Sequence, residues 1–204
     1  MDLGLYNLKY PARKLLSGLL PMLRGVNPNA ISWAMLPVGA AVAAAYAFAP
    51  GRPSLYLAGI GLVFLRMFLG TLDGLVAVHF GKGTPQGELV NRLAPELCDA
   101  MYLGAIALAK PEWHLLGVGA LAVAWLTTFS GLLGATIGKP TQSVGPVGQT
   151  DRLAALQAFS LAAYLGHRLG WNVDFIGAFL AWTIAGGTLT VVLRLLRNFR
   201  NAKT

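Results

Sequence analysis

Arg66, Asp73, Glu88, Arg92, Glu96 and Asp99, together with the amide of Asn91, interrupt a stretch that is otherwise strongly apolar. A charge at mid-depth in a bilayer costs at least ~2.5–3.5 kcal/mol on insertion scales, so each of these groups needs a partner or a task. Carboxylates outnumber guanidinium groups here, and no cysteine or histidine cluster accompanies them. That donor set suits Mg²⁺, Mn²⁺ or Ca²⁺, hard ions that prefer oxygen. A carboxylate can also accept a proton from a reacting hydroxyl. The alternative is an internal ion-pair network, Arg66 with Asp73 and Arg92 with Glu96 or Asp99, which joins two helices and binds nothing.

The elements that must position these groups follow from composition. The chain has 204 residues, 55% hydrophobic and 12% charged, with a mean hydropathy of +0.59. A soluble domain carries about 25% charged residues, so most of this surface has lipid as its solvent, and a disordered chain is excluded. The single cysteine, Cys98, excludes an intramolecular disulfide framework and a multi-cysteine metal cluster, and reads as an inert apolar residue on a packed helix. A net charge of +8 on such a chain points to anionic lipid headgroups and away from nucleic acid.

Six membrane helices are predicted: Ala30 to Ala49, Ser54 to Phe80, Glu88 to Ala109, His114 to Gly138, Leu153 to Gly170 and Phe175 to Leu193. Between them, 50–53, 81–87 and 139–152 read as loops. Ahead of the first span, Tyr10, Leu15, Leu16, Leu19, Leu20 and Leu23 alternate with Lys9, Arg13, Lys14 and Arg24, the pattern of an amphipathic helix lying in the membrane surface. This divides the chain into a surface helix and lead-in over 1–26, a membrane domain over 27–196 and a basic cytoplasmic tail over 197–204. With the N-terminus inside, the inner segments hold Lys9, Arg13, Lys14, Arg24, Lys82, Lys139, Arg152, Arg194, Arg197, Arg200 and Lys203, against Arg52, Lys110 and Arg168 outside. Both termini are therefore expected in the cytoplasm, with Trp113 and Trp171 at the outer interface and Trp33 near the inner one. This topology gathers Asp73, Glu88, Glu96 and Asp99 at the inner leaflet, where the second and third helices would enclose a pocket.

Asp73-Gly74-Leu75-Val76-Ala77, followed by Gly87 and the acidic third helix, resembles the CDP-alcohol phosphatidyltransferase family. Its signature, D-x2-D-G-x2-A-R-x8-G-x3-D-x3-D, lies across the second and third of six membrane helices. The spacing is kept without a gap, and Asp73, Gly74, Ala77 and Gly87 stand at the second Asp, the first Gly, the Ala and the second Gly. Asn27-Pro28-Asn29-Ala30-Ile31-Ser32 is similar to the P-N-x-x-T/S segment before the family's first span. The departures are Gly70 for the first Asp, Val78 for the Arg, Asn91 for the third Asp and Pro95 for the fourth.

The resemblance implies a membrane homodimer of phospholipid synthesis. In such a protein, aspartates hold Mg²⁺ or Mn²⁺ on the diphosphate of a CDP-linked lipid, a carboxylate takes the proton of an acceptor alcohol, and CMP leaves. Carried onto this chain, Asp73, Asn91 and Asp99 become the metal ligands. Glu96, one residue beyond the lost base, and Asp99, one turn further, become the catalytic carboxylates if a kink at Pro95 re-aims them. Gly74, Ala77 and Gly87 shape the substrate site, and Lys139 and Arg152, flanking Gly145-Pro146-Val147-Gly148, offer cations and amides to a headgroup phosphate, although topology alone also requires basic residues there. Gly70 with Gly74 also forms a small-x3-small pair suited to helix packing, and His79 sits near the lost Arg at a solvated helix end. The alternative function is a non-catalytic relative that binds a lipid or nucleotide headgroup or an active partner.

Overall fold

The computed structural model describes residues 17–202, and the surface helix expected before Ser17 lies outside them. Within 17–202 the chain forms six long helices: α1 (Pro28–Phe48), α2 (Ser54–His79), α3 (Pro85–Ala109), α4 (His114–Leu132), α5 (Gln149–Leu169) and α6 (Phe175–Asn201). Short 3₁₀ turns over Ser17–Leu23, Pro111–Trp113 and Leu133–Ile137 complete them. Four segments, Pro28–Phe48, Ser54–His79, Pro111–Ile137 and Phe175–Asn201, are long and apolar enough to cross a membrane. Large apolar side chains point outward all along these segments, among them Phe48, Phe64, Leu115 and Phe129. In water such a surface would be a liability; against acyl chains it is the expected one.

Helix ends differ from the sequence expectation where local capping overrides composition. The stretch 81–87 read as a loop, yet α3 already begins at Pro85. Thr84 caps it by accepting a hydrogen bond from the Gly87 N–H at 3.0 Å, and proline suits the first helical position because its missing N–H would have no partner there. Asn27 caps α1 in the same way, accepting from the Asn29 N–H at 2.9 Å ahead of Pro28. At the other end of the chain, α6 continues to Asn201, beyond the boundary expected at 196. Asn198 is buried and donates to the Ser130 carbonyl at 2.7 Å, which holds the basic end of α6 against α4. Trp113 is buried, and its indole N–H donates to Asp174 Oδ2 at 2.7 Å beside the cap of α6.

The core runs the length of the bundle. Val42, Tyr46, Tyr102, Leu103, Ile106, Leu156, Phe179 and Leu180 interlock at its centre. The Tyr46 hydroxyl lies 2.7 Å from Ser160 Oγ and ties α1 to α5. α1 packs broadly against both α2 and α3, while α2 and α3 meet only narrowly. The two helices that carry the signature are thus separated over most of their length by a third, and small residues make the close approaches possible. A side chain at Gly39 would strike the Cys98 thiol at 2.7 Å, and one at Gly117 would strike Ala107 Cβ as well as its Cα at 2.6 Å.

Gly117→Val is therefore expected to lower thermal stability in detergent by about 1–3 kcal/mol, since it drives α4 off α3. Gly61→Ala, where nothing lies within 4 Å of an added methyl, should melt with the wild type. Equal melting of the two variants would contradict this packing.

Candidate headgroup cavity and buried charge cluster

One end of the bundle carries an open-mouthed cavity of ≈ 330 Å³. Its walls come from the start of α1 (Pro28, Asn29, Ser32), the end of α2 (Asp73, Gly74, Ala77, Val78), the connection Lys82–Thr84 and the start of α3 (Gly87, Glu88, Asn91). Chain direction explains the convergence: α1 and α3 begin at this end and α2 finishes there. Asp73 is buried, accepting from Ser32 Oγ at 2.6 Å through Oδ2 and from the Gly74 N–H at 2.6 Å through Oδ1. An added methyl at Gly74 would meet open space, so this glycine faces the cavity. Gly87 is there for the opposite reason, since a methyl would stand 2.6 Å from Asn29 Oδ1. Gly70 packs, its Cβ position lying 3.1 Å from Met35 Sδ. The small-x3-small pair is thus half packing contact and half cavity wall.

Five of the residues expected at the site, Asp73, Gly74, Ala77, Gly87 and Asn91, therefore share one cavity. Glu96, Asp99, Arg152 and Lys139 do not line it. Asp99 is fully buried and bracketed by two guanidinium groups, Arg152 at 2.8 Å and Arg66 at 3.4 Å. Arg66 also donates to the Pro95 carbonyl at 3.0 Å, and Arg152 to Thr127 Oγ1 at 2.9 Å. Glu96 accepts from Thr128 at 2.9 Å and from Gln149 at 3.0 Å.

The pairing expected for a purely structural network is present with other partners. Arg66 joins Asp99 instead of Asp73, and Arg92 joins Glu88 at 2.6 Å on the exposed side of α3. The reason is depth. At 1.5 Å per residue Asp99 stands about 12 Å beyond Asn91 along α3, and α1 fills the space between α2 and α3. Pro95 does not redirect these carboxylates to Asp73.

Several amides of the loop after α4 are already engaged within the chain. The Val147 N–H donates to Thr190 Oγ1 at 3.0 Å, Gly148 to Asp151 Oδ2 at 2.8 Å and Gln142 to the Gly131 carbonyl at 2.7 Å. Arg194 ties the same loop to α4, donating to the carbonyls of Val144 in the loop and Thr127 in the helix. His79 is exposed and lies edge-on to Phe80, away from the cavity lining.

Comparison with known proteins decides the family. No protein-family model matches the sequence. The inner membrane protein YnbA of Escherichia coli (strain K12) is 30% identical over 149 residues, 70% of this chain and 73% of that protein. The crystal structure of Mycobacterium tuberculosis phosphatidylinositol phosphate synthase (PgsA1) in complex with manganese and citrate superposes with a TM-score of 0.72 at 15% identity, covering 92% of this chain and 88% of that one. The same synthase with CDP-DAG bound gives 0.71 at 16% identity, covering 92% and 93%. The chain belongs to one family with YnbA, and its fold is that of a CDP-alcohol phosphatidyltransferase.

Against the family signature, the cavity keeps the backbone-shaping positions Gly74, Ala77 and Gly87 and the carboxylate of Asp73. What sequence reasoning passed over as site residues are Ser32, Asn29, Lys82 and Thr84. The Asn27–Ser32 segment held the signal for two of them, because a polar residue one helical turn after a capped helix start faces whatever packs there.

The synthase structure named above holds manganese. Among the described residues no three His, Cys, Asp or Glu side chains converge. Glu88 is ion-paired with Arg92, and Asp99 is held by two arginines, which leaves Asp73 as the one carboxylate of the expected metal set at the cavity. The metal set expected from Asp73, Asn91 and Asp99 is not assembled, because Asp99 stands two turns too deep. These residues do not fit a carboxylate-rich metal centre.

Asp99→Asn leaves two buried guanidinium groups short of their anion and should cost about 3–5 kcal/mol of stability, read as a large fall in melting temperature in detergent. Arg92→Gln breaks only an exposed pair and should stay within about 1 kcal/mol of wild type. A melting temperature for Asp99→Asn at the wild-type value would refute the cluster's structural role.

Proposed function

We propose that this protein is an integral membrane phosphatidyltransferase of the CDP-alcohol type, taking a CDP-linked lipid into the cavity at the ends of α1, α2 and α3. The single observation that carries the reading is the convergence of Asp73, Gly74, Ala77, Gly87 and Asn91 on one cavity, in the spacing of the family signature. The fold shared with a synthase crystallised with CDP-DAG supports the substrate class. In the reaction the oxygen of an acceptor alcohol bonds to the phosphorus bearing the lipid, the bond from that phosphorus to the CMP oxygen breaks, and CMP leaves. The acceptor proton must go to a base in the cavity. Glu88 is committed to Arg92, which leaves Asp73, poised by Ser32 at 2.6 Å, as the carboxylate for that role. Asn29, Asn91 and Thr84 supply neutral donors to phosphate or sugar oxygens.

The remaining expectations belong to the same proposal. All six long helices lie across the inner membrane, with α3 and α5 spanning although their polar faces lower their hydropathy; both termini are cytoplasmic and the chain works as a homodimer. The identity to an inner membrane protein and the apolar exterior support this arrangement.

A second reading, binding without turnover, is favoured by one observation: Gly70, Asn91 and Pro95 replace carboxylates, and Glu96 and Asp99 are held elsewhere. A single assay separates the two. Purified protein in vesicles containing CDP-diacylglycerol and a mixture of acceptor alcohols should release CMP, and Asp73→Asn should lower the rate at least about a hundredfold. Binding of CDP-diacylglycerol with no CMP released by the wild type would leave the second reading standing and end the first.

A further inference from the structure

α6 is longer than the membrane core it is built to cross. It runs for 27 residues, and the stretch 175–193 carries no charge. At 1.5 Å per residue that stretch alone covers about 28 Å, close to the ~30 Å of a hydrocarbon core. Residues 194–201 therefore stand at headgroup level, as two further turns of a regular helix. These turns are held firmly. Arg194 and Asn198 are buried, donating to the Val144 carbonyl at 2.8 Å and the Ser130 carbonyl at 2.7 Å. A methyl at Gly134 would stand 3.3 Å from Asn198 Oδ1, so the turn after α4 packs against them too.

With one face fixed in this way, the opposite face is presented outward in a set orientation. Leu189, Val192, Leu196 and Phe199 follow one another at spacings of three, four and three residues, which places them on one stripe. They are between 45% and 68% exposed. Beside the C-terminal end of the stripe stand Arg197 and Arg200, both exposed. Residues three apart on a helix are neighbours, so the two guanidinium groups can reach one phosphate. Neither is ion-paired among the described residues, and no acidic residue follows Asp174 in the chain.

This surface has the polarity of a phospholipid, apolar along the hydrocarbon core and cationic where phosphates lie. A zwitterionic lipid brings its own ammonium against the arginines. An anionic lipid does not. None of these residues lines the cavity at the ends of α1, α2 and α3.

We propose that the last two turns of α6 hold an anionic phospholipid of the surrounding bilayer, its phosphate on Arg197 and Arg200 and an acyl chain along Leu196 and Phe199. Native mass spectrometry tests this, with the full chain released from micelles holding equal amounts of phosphatidylglycerol and phosphatidylcholine of matched acyl chains. Wild type should retain phosphatidylglycerol in preference, and Arg197→Gln combined with Arg200→Gln should cut that preference about fivefold or more. Arg197→Lys with Arg200→Lys should keep most of it. Arg52→Gln with Arg168→Gln removes the same charge from exposed positions at the opposite end of the bundle and should leave the preference unchanged. Melting temperature checks folding, and if the double glutamine variant is unstable the two single variants carry the test. Equal retention of both lipids by wild type, the result if a second copy of the chain covers the stripe, overturns the proposal. A preference that survives in the double glutamine variant also overturns it. So does one lost equally when Arg52 and Arg168 are replaced, which would make net charge alone responsible.

Discussion

A carboxylate that must be buried among membrane helices has to be neutralised, and the way Asp99 is neutralised organises this bundle. Arg66 reaches it from α2 and Arg152 from α5, so one buried anion joins three helices. The arginines are themselves only partly satisfied by it: Arg66 takes the Pro95 carbonyl and Arg152 the Thr127 hydroxyl. The backbone carbonyl at position 95 is one of the acceptors the Arg66 guanidinium uses. Each guanidinium has several donors and no way to lose its charge, which makes the cluster a rigid joint. Side chains in contact with it, Gln149, Thr128 and Glu96, extend the polar connection to the start of α5 and the end of α4.

That joint also sets what the cavity contains. Because Asp99 is committed about two turns below, the carboxylates available beside the mouth are Asp73 and Glu88, and both already have partners. Gly74 and Gly87 shape this cavity for contrasting reasons, open space at one and close approach of Asn29 at the other.

The placement of α1 connects the two regions. It lies along both signature helices, meeting Cys98 of α3 through Gly39 and Asp73 of α2 through Ser32. Lys82 closes the same contact from above by binding the carbonyls of residues 24 and 26. Leu20 packs with Ile31, Leu72 and Val76 just before α1 begins, so the lead-in to the first long helix is part of the cavity's support.

Much of this was legible in the residues alone. The six helices, the capped start at Asn27-Pro28 and the gapless spacing from Asp73 to Gly87 are local properties, fixed by hydropathy, capping chemistry and the 3.6-residue repeat. They placed Asp73, Gly74, Ala77, Gly87 and Asn91 at one end of the chain's helices without any coordinates. The partners of the charges were not legible, because an arginine on α2 pairs with whatever packing brings beside it, and Arg152 of α5 is 53 residues from Asp99 in the chain. Only the tertiary structure decided that α1 stands between α2 and α3, that Glu96 and Asp99 are held away from the cavity, and that Lys82 sits over it. Sequence periodicity says which face of a helix is polar; which neighbour that face meets depends on long-range packing, which no local pattern encodes.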